Sequence, residues 1–561
     1  MAQDREHFAK RLGQLDYELG HYRDHWKELV DNISPRSARF LADDRSKQGT
    51  IRNSKIYDNT ATIALRTLAS GLMSGVTSPT RPWFQLRTPD PDLNEFKSAK
   101  EWLDLSRKRV AEAFLQSNLY SVLPSTYSDL GGIGTAAFAV EDGEADDLDD
   151  VIRCVQFPVG SYRLGTDYTG EVNACYREYQ MQASQIVEQF GEENCSAAVR
   201  QAWKSGNANW FTIVHAIEPN ERWNDQLHNS KFKEYLSVYY EKGDEEHRFL
   251  RESGFDEFPI MAPRWQTVGE DVYGISPGME ALGDIKGLQV MQKRKLQAIE
   301  KMVSPPMVAP VALRNQRASL LPGDVTYADV ASGGQKFEPA YMVNVNLNYL
   351  MQEIQETQRR VRETFYSDLF MMIANDQRSN ITAFEIAARQ EEKLLALGPV
   401  YLKLNDELLD PLIDRTFNIM LRKGMLPPPP PELQGVKLNV EYVSVMAQAM
   451  KAIGVSNIER VMTFVGNMGQ AFPSVLDTID ADTAVEEYAD MVGVPPKMVN
   501  DKDTRKAIRD AKAKQDQAAQ AMAMAQQGAD AAQKLANAPL SDNNALSQLM
   551  SRMQQAQGAP A

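Results

Sequence analysis

Apolar residues recur at helical spacing along two stretches that flank a proline-punctuated insert. From Ala281 to Val303 the row is Leu282, Ile285, Leu288, Met291, Leu296, Ile299 and Met302, and from Asn346 to Tyr366 it is Leu347, Leu350, Ile354, Val361 and Phe365, with Leu369 continuing the line. Each stretch predicts a one-sided helix. Ser304-Pro305-Pro306 stops the first, and Pro310, Pro322-Gly323 and Ser332-Gly333-Gly334 mark turns around short β-leaning runs, Met307 to Leu313 and Asp324 to Val330. The chain therefore runs out along one rod, makes a compact tip and returns along another. At 1.5 Å per residue the first rod spans roughly 34 Å. Two rods with one narrow apolar stripe each bury little alone, so the pattern asks for neighbouring copies of itself.

Elsewhere the spacing predicts a helix over residues 4–31, with Phe8, Leu12, Leu15, Leu19, Tyr22, Trp26 and Leu29 on one face, a second over Thr60–Gly75 and a third over Glu95–Asn118. Pro79 and Pro82 favour an extended path that presents Trp83 and Phe84 to a core. From Gly131 to about Arg264 the period changes to short alternating runs, Thr135–Val140, Val151–Phe157, Glu171–Tyr179, Trp210–Ile217 and Tyr235–Glu241, with one helix near Ser184–Phe190. This is a β-rich region. A break at Ala374–Asn380 precedes a long helix over Thr382–Lys423, interrupted near Gly398-Pro399. Pro427–Pro431 is a stiff spacer, Leu438–Tyr442 a possible strand, and Ser444–Val492 a set of short helices. Asp503–Ala561 is rich in Ala, Gln and Met and has no aromatic residue, so it forms a long helix supported by other chains or a tail without a core of its own.

At 561 residues the chain exceeds one core, and domains of roughly 100–200 residues give three to four structural regions. Its 43% hydrophobic and 24% charged residues are ordinary for a soluble protein. A net charge of −15 argues against tight, non-specific phosphate neutralisation. Cys154, Cys175 and Cys195 have neither CxxC spacing nor a nearby His, which favours free thiols in a reducing cytoplasm over a disulfide framework or zinc site. The polar start, Met1–Lys10, and the absence of any long apolar stretch predict a soluble intracellular protein without stable membrane contact.

Enzyme signatures are missing. There is no G-x-x-x-x-G-K-[ST], H-E-x-x-H or G-x-S-x-G. Gly131-Gly132-Ile133-Gly134 opens no amphipathic helix and reads as a tight turn rather than a dinucleotide loop. His21 and His25 stand at i, i+4 without further ligands, and Glu141–Asp150 reads as a solvated acidic loop. No cofactor or metal is implied. The rods carry Lys286, Lys293, Arg294, Lys295 and Lys301 on the first and Arg359, Arg360 and Arg362 on the second, among Glu353, Glu356 and Glu363. Taken singly, each belongs to a helix surface laced with ion pairs. In a closed ring, one channel-facing cation becomes a belt of charge that can touch DNA weakly.

Several blocks resemble the portal, or head-to-tail connector, proteins of short-tailed bacteriophages: Leu68–Phe84 (LASGLMSGVTSPTRPWF), Tyr127–Ala137 (YSDLGGIGTAA), Tyr273–Lys286 (YGISPGMEALGDIK), Ile381–Ile386 (ITAFEI) and Leu438–Ser444 (LNVEYVS). The resemblance covers residues 5 to about 450; beyond that it is one of character only. It implies an α+β, mainly helical subunit closing into a homo-oligomeric ring, typically a dodecamer, around a channel at one capsid vertex. It implies a wing over 1–280, a first stem helix over 281–303, a clip over 304–345, a second stem helix over 346–370, a channel loop over 371–381, a long wing helix over 382–426, a crown over 427–502 and a C-terminal helix or tail over 503–561. In that frame the eight basic residues above are candidates to face DNA. Met372, Asn375, Asp376, Gln377, Arg378 and Asn380 fall in the channel loop, and Pro305, Pro306, Arg314, Arg317, Pro322 and Tyr327 in the partner-binding clip. Implied partners are the major capsid and scaffolding proteins, the terminase packaging motor, a tail adaptor and double-stranded DNA read without regard to sequence. The alternatives, an enzyme acting on nucleic acid or a helical scaffold protein, would appear as monomers or small oligomers rather than rings.

Overall fold

The computed structural model describes residues 4–35, 55–90, 96–143, 151–224, 226, 229–244, 248–304, 307–308, 338–339, 347–371, 396–433, 435, 438–444, 446–448, 461–468, 472, 478–492, 500 and 502–536. The chain is mixed helix and strand, mainly helical, and divides into a body, Met1–Ala484 with Met491–Gly493, and a second unit, Val485–Asp490 with Val494–Ala561.

Helix α1 (Arg5–Ile33) starts where the Asp4 carboxylate accepts a hydrogen bond from the His7 amide at 3.0 Å, satisfying one of the free N–H groups of the first turn. The predicted apolar face is the buried one. Phe8, Leu12 and Leu15 pack with Tyr176, Val214, Leu236 and Val238 of the sheet region, while Leu19, Trp26 and Leu29 join the main core. One amphipathic rod therefore joins two clusters. Helices α2 (Thr60–Gly75) and α3 (Lys97–Gln116) match the predicted periodicity.

Helix α4 (Leu119–Ile133) was not legible in the sequence, where Pro124 and Gly131-Gly132 argue against it. Leu119, Val122, Leu123, Thr126, Tyr127 and Leu130 are all buried, and burial on nearly every face erases the one-sided rhythm of a surface helix. The glycine run is thus the last turn of a helix, capped by Gly134 at φ 92°.

In the β-rich region, β2 (Ala137–Asp142), β3 (Ile152–Phe157) and β9 (Ile260–Met261) form a three-stranded sheet of order β3-β2-β9. Strands β4 (Tyr162–Thr166), β5 (Val172–Gln182), β6 (Trp210–Pro219), β7 (Tyr235–Glu241) and β8 (Arg251–Phe255) form a five-stranded antiparallel sheet in chain order. Helices α5 (Ala183–Phe190) and α6 (Ala197–Lys204) cover one of its clusters, burying Ile186, Phe190 and Val199 against Ile213, Tyr239 and Leu250. Strands β4, β8 and β9 and helix α6 carry patterns too short or too irregular to be read from alternation.

Asp129 of α4 is wholly buried, and burial pushes its carboxyl up to about 8, with Gln156 as a partially offsetting hydrogen-bond donor. An unfolded aspartate titrates near ~4, so between pH ~4 and 8 the folded state holds a proton that the unfolded state has lost, and stability falls as pH rises through that window. Asp129→Asn is expected to flatten this slope and raise stability at neutral pH by on the order of 2 kcal/mol. A series of thermal melts across the window, with an unchanged slope in the variant, would refute it. Cys154, Cys175 and Cys195 are buried and unbridged, and burial pushes the first two thiols up to about 12. Thiol reagents at mildly alkaline pH are expected to label them only after denaturation.

The first rod is α7 (Pro277–Val303), longer at its start than the periodicity predicts because Ser276 caps it and Pro277 occupies its first turn. Ser276 accepts from the Met279 amide at 3.1 Å. Beyond it, β10 (Met307–Val308) pairs antiparallel with β11 (Glu338–Pro339), so the insert's outgoing and returning chains meet at its base. The second rod, α8 (Leu347–Thr364), breaks at Tyr366, a non-glycine residue at φ 52°, and a short helix follows over 367–371. The regular second rod therefore ends before the predicted 370, and Met371 is helical rather than the start of a loop.

Helical structure over 396–422 takes in Gly398 and Pro399, where the sequence predicts an interruption. The irregularity lies instead in a π-helical turn, Asn405–Leu409, ahead of α9 (Asp410–Arg422). That turn carries Glu407 to Arg264, whose Nη2 and Nε donate to the carboxylate at 2.6 and 3.0 Å. Strand β12 (Asn439–Tyr442) pairs antiparallel with β1 (Phe84–Arg87), joining the far end of the body to its beginning. As expected, Trp83 and Phe84 are buried; Trp83 stacks on Phe114 at 5.9 Å and its indole donates to Tyr120 at 3.2 Å. Helix α10 (Ala481–Val492) runs across the division between the two units, and α11 (Lys502–Ala536) belongs to the second, with Ile508, Met522 and Met524 exposed.

Candidate functional site

The paired rods are the candidate site, and their anchorage begins at glycine. The end of α4 and the root of α7 touch backbone to backbone: a Cβ on Gly134 would lie 2.3 Å from the Gly274 carbonyl oxygen, and one on Gly278 would lie 2.4 Å from that of Gly132. Ser276 Oγ donates to the Gly132 carbonyl at 3.0 Å, and the Gly274 amide donates to Thr135 Oγ1 at 2.8 Å. Two of the sequence blocks, 127–137 and 273–286, are therefore the two sides of one close crossing. A third meets the short helix that follows the second rod, since Gly71 of α2 leaves room for Phe370, whose Cβ would be 2.4 Å from an added Cβ.

A strap at residues 55–58 ties the rods to the body. Gln289 of α7 accepts from the Tyr57 and Asp58 amides at 2.6 and 2.9 Å and donates to the Asp58 carbonyl at 2.9 Å. Asp58 Oδ2 accepts from Gln292 of α7 at 2.9 Å and Gln358 of α8 at 2.7 Å, while Oδ1 accepts from the Thr60 amide at 2.8 Å. Burial raises the pKa of this carboxyl, but the hydrogen bonds from Thr60, Gln358 and Gln292 outweigh it and hold the group below the ordinary aspartate value. Its contribution is therefore present above the unfolded aspartate pKa and lost as pH falls through the depressed folded value. No sequence signal marks these glutamines, because a glutamine on a helix reads as solvated.

Several predicted basic residues are committed to ion pairs. Arg360 of α8 reaches Asp284 of α7 at 3.2 Å, joining the rods, and Lys286 pairs with Glu28 of α1. Arg359 pairs within its helix with Glu356 and Glu363. Lys293 Nζ lies 5.7 Å from the centre of the Tyr57 ring, and Arg294 donates to Gln297 at 3.0 Å. Lys301 is exposed and partnered. Lys295 and Arg362 have no ion-pair partner among the described residues. The channel-loop candidates Met372, Asn375, Asp376, Gln377, Arg378 and Asn380 lie outside the described residues, as do the clip candidates Pro305, Pro306, Arg314, Arg317, Pro322 and Tyr327.

Burial divides each rod in two. On α7, Leu282, Ile285 and Leu288 are buried against the body, whereas Leu296, Ile299, Met302 and Val303 are exposed. On α8, Ile354 and Val361 are buried, whereas Tyr349 and Met351 are exposed. On α7 the apolar stripe thus continues past the part of the rod that the body covers, whereas on α8 its outer members, Leu347 and Leu350, are half-buried.

Residues 5–499 match the family of bacteriophage head to tail connecting proteins, and the chain belongs to it. The portal protein of Salmonella phage epsilon15 is 47% identical over 559 residues, covering 99% of each chain. The probable portal protein of Bordetella phage BPP-1 is 43% identical over 547 residues, covering 97% of each. Membership of a structural phage family sets aside the alternative of an enzyme acting on nucleic acid.

Proposed function

We propose that this chain is a portal subunit that closes with its copies, as a dodecamer, into a ring at one capsid vertex and conducts double-stranded DNA during packaging and ejection. The observation that carries the reading is the apolar stripe that runs on along α7 past the body, through Leu296, Ile299 and Met302, beside the exposed Tyr349 and Met351 of α8. Side-by-side copies would cover it. In this reading α7 and α8 are the stem, the N-terminal helices and sheets the wing, the insert closed by β10 and β11 the clip, the segment over 372–381 the channel loop, and the region beyond Pro427–Pro431 the crown. The clip meets the terminase motor and later the tail adaptor; the outer body meets capsid and scaffolding proteins.

Charge supports a conduit that does not grip. Duplex DNA carries one charge per roughly 1.7 Å, and screening limits electrostatic reach to about 8 Å at physiological salt. A subunit of net charge −15 repels that polyanion over most of a bore, while cations repeated by symmetry give brief contacts. Lys295 and Arg362, without an ion-pair partner among the described residues, and the weakly engaged Lys293 and Arg294 are the best placed to supply them.

Negative-stain images of the purified protein are expected to show rings with a central hole; discrete monomers at high concentration would overturn the reading. Replacing Lys293, Arg294 and Lys295 together by Ala is expected to leave the rings intact and to weaken salt-sensitive DNA binding several-fold, read as a shallower dependence of affinity on salt. Loss of the rings instead would place these side chains between neighbouring stems. Deleting residues 304–345 is expected to leave rings that fail to engage motor or tail adaptor; normal engagement would refute the clip assignment.

A further inference from the structure

We propose that Asp58 is the positioning residue of the stem: its carboxylate fixes the angle at which both rods leave the body, and with it the placement of the cations on α7. The inference rests on reading the paired rods as the stem of a ring. Asp58 is the one residue of the strap whose side chain holds both rods at once, through Gln292 of α7 and Gln358 of α8 on the same oxygen. Its other oxygen and its backbone are also committed, to Thr60 and to Gln289, so it cannot turn away without releasing α2 as well. The flanking residues extend the hold. Lys55 pairs with Asp31 of α1 at 2.7 Å, and the Tyr57 ring sits beneath Lys293. Gln289 is buried and the two outer glutamines are half-buried, so water does not readily replace these bonds.

On α7 the hub lies where the covered part of the rod gives way to the uncovered part, and on α8 it lies one turn from Ile354, the outermost buried residue of that rod. Beyond Gln289, α7 buries no further residue, so small rotations there are amplified along the remaining turns. The rods contact each other through Arg360 and Asp284 on the body side of this point. Asp58 therefore clamps both rods close to the point at which α7 leaves the body.

Two measurements test the assignment. The chemistry of the hub is read by a double-mutant cycle. Gln358→Glu would set two carboxylates against each other and is expected to lower the melting temperature at neutral pH, with recovery in acid as the pair shares a proton. Asp58→Asn alone is expected to be mild, because the glutamine amides can flip to accept from its NH2 group. Asp58→Asn with Gln358→Glu is expected to restore stability to the level of Asp58→Asn alone, since the asparagine donates to the new carboxylate. Additive losses would overturn the hub. Positioning itself is read by spin labels on Val303→Cys, a site 76% exposed in a chain whose own cysteines are buried. The native ring is expected to give narrow distances between stem tips, and Asp58→Ala to broaden them while ring formation persists. An unchanged distribution would overturn the positioning role. Absence of any intersubunit distance in the native protein would instead refute the ring, leaving the cycle valid in a single chain.

Discussion

Replacing Arg415 by Ala is expected to destabilise the body by about 3 kcal/mol, the lower part of the range for breaking a buried ion pair. Its side chain is 2% exposed and fully committed: Nε donates to the Val140 carbonyl at 2.7 Å, Nη2 to Asp142 at 2.9 Å and Nη1 to Glu257 at 3.2 Å, with the Phe255 ring 5.2 Å away. Through these bonds α9 is fastened to β2. The lower figure applies because Asp142 and Glu257 keep 47% and 30% exposure and regain water once the guanidinium is gone. The Val140 carbonyl is left without this donor, and the space left by the side chain adds to the loss. Arg415→Met refills the volume and is expected to recover part of it. The check is the denaturant midpoint at constant slope; a midpoint unchanged in Arg415→Ala would refute the fastening role.

The second large effect is expected at the root of the first rod. Gly134 stands at φ 92°, and its added methyl would meet the backbone oxygen of Gly274 at 2.3 Å, in a segment just ahead of α7 that is itself held by the bond from the Gly274 amide to Thr135 Oγ1. Gly243 has a similar φ of 95° but nothing within 4 Å. Gly243→Ala isolates backbone strain, about 1–2 kcal/mol for a left-handed residue. Gly134→Ala carries the same strain plus the collision and is expected to lower stability by several kcal/mol, on the order of twice the control or more. Equal melting temperatures for the two variants would show that the crossing of α4 and α7 has slack.

The rods were legible because each keeps one apolar stripe over many turns, a rhythm that survives in the sequence when one face is solvated. Helix α1 was legible for the same reason, and its predicted row, apart from the half-buried Tyr22, is buried. Helix α4 was not, since burial on most faces removes the contrast and Pro124 argues against a helix that tertiary packing maintains. The π turn at Asn405–Leu409 was hidden because nothing in its composition distinguishes it from the helix around it; what marks it is the distant Arg264. The candidate site divides in the same way. Basic residues on the rods were easy to list, but their commitments were not, because the partners Glu28 and Asp284 lie on other elements or other turns. The glutamine and aspartate hub was invisible, since polar residues at helical spacing are indistinguishable from a wetted surface until the strap is laid across them.

The pairing of Phe84–Arg87 with Asn439–Tyr442 sets an order of events in synthesis. An early strand must wait, its edge unpaired, until residues near 440 have cleared the ribosome's exit tunnel. The body therefore closes only after most of the chain has been made. A message truncated ahead of Asn439 would yield chains with an open strand edge, prone to aggregate instead of entering a virion.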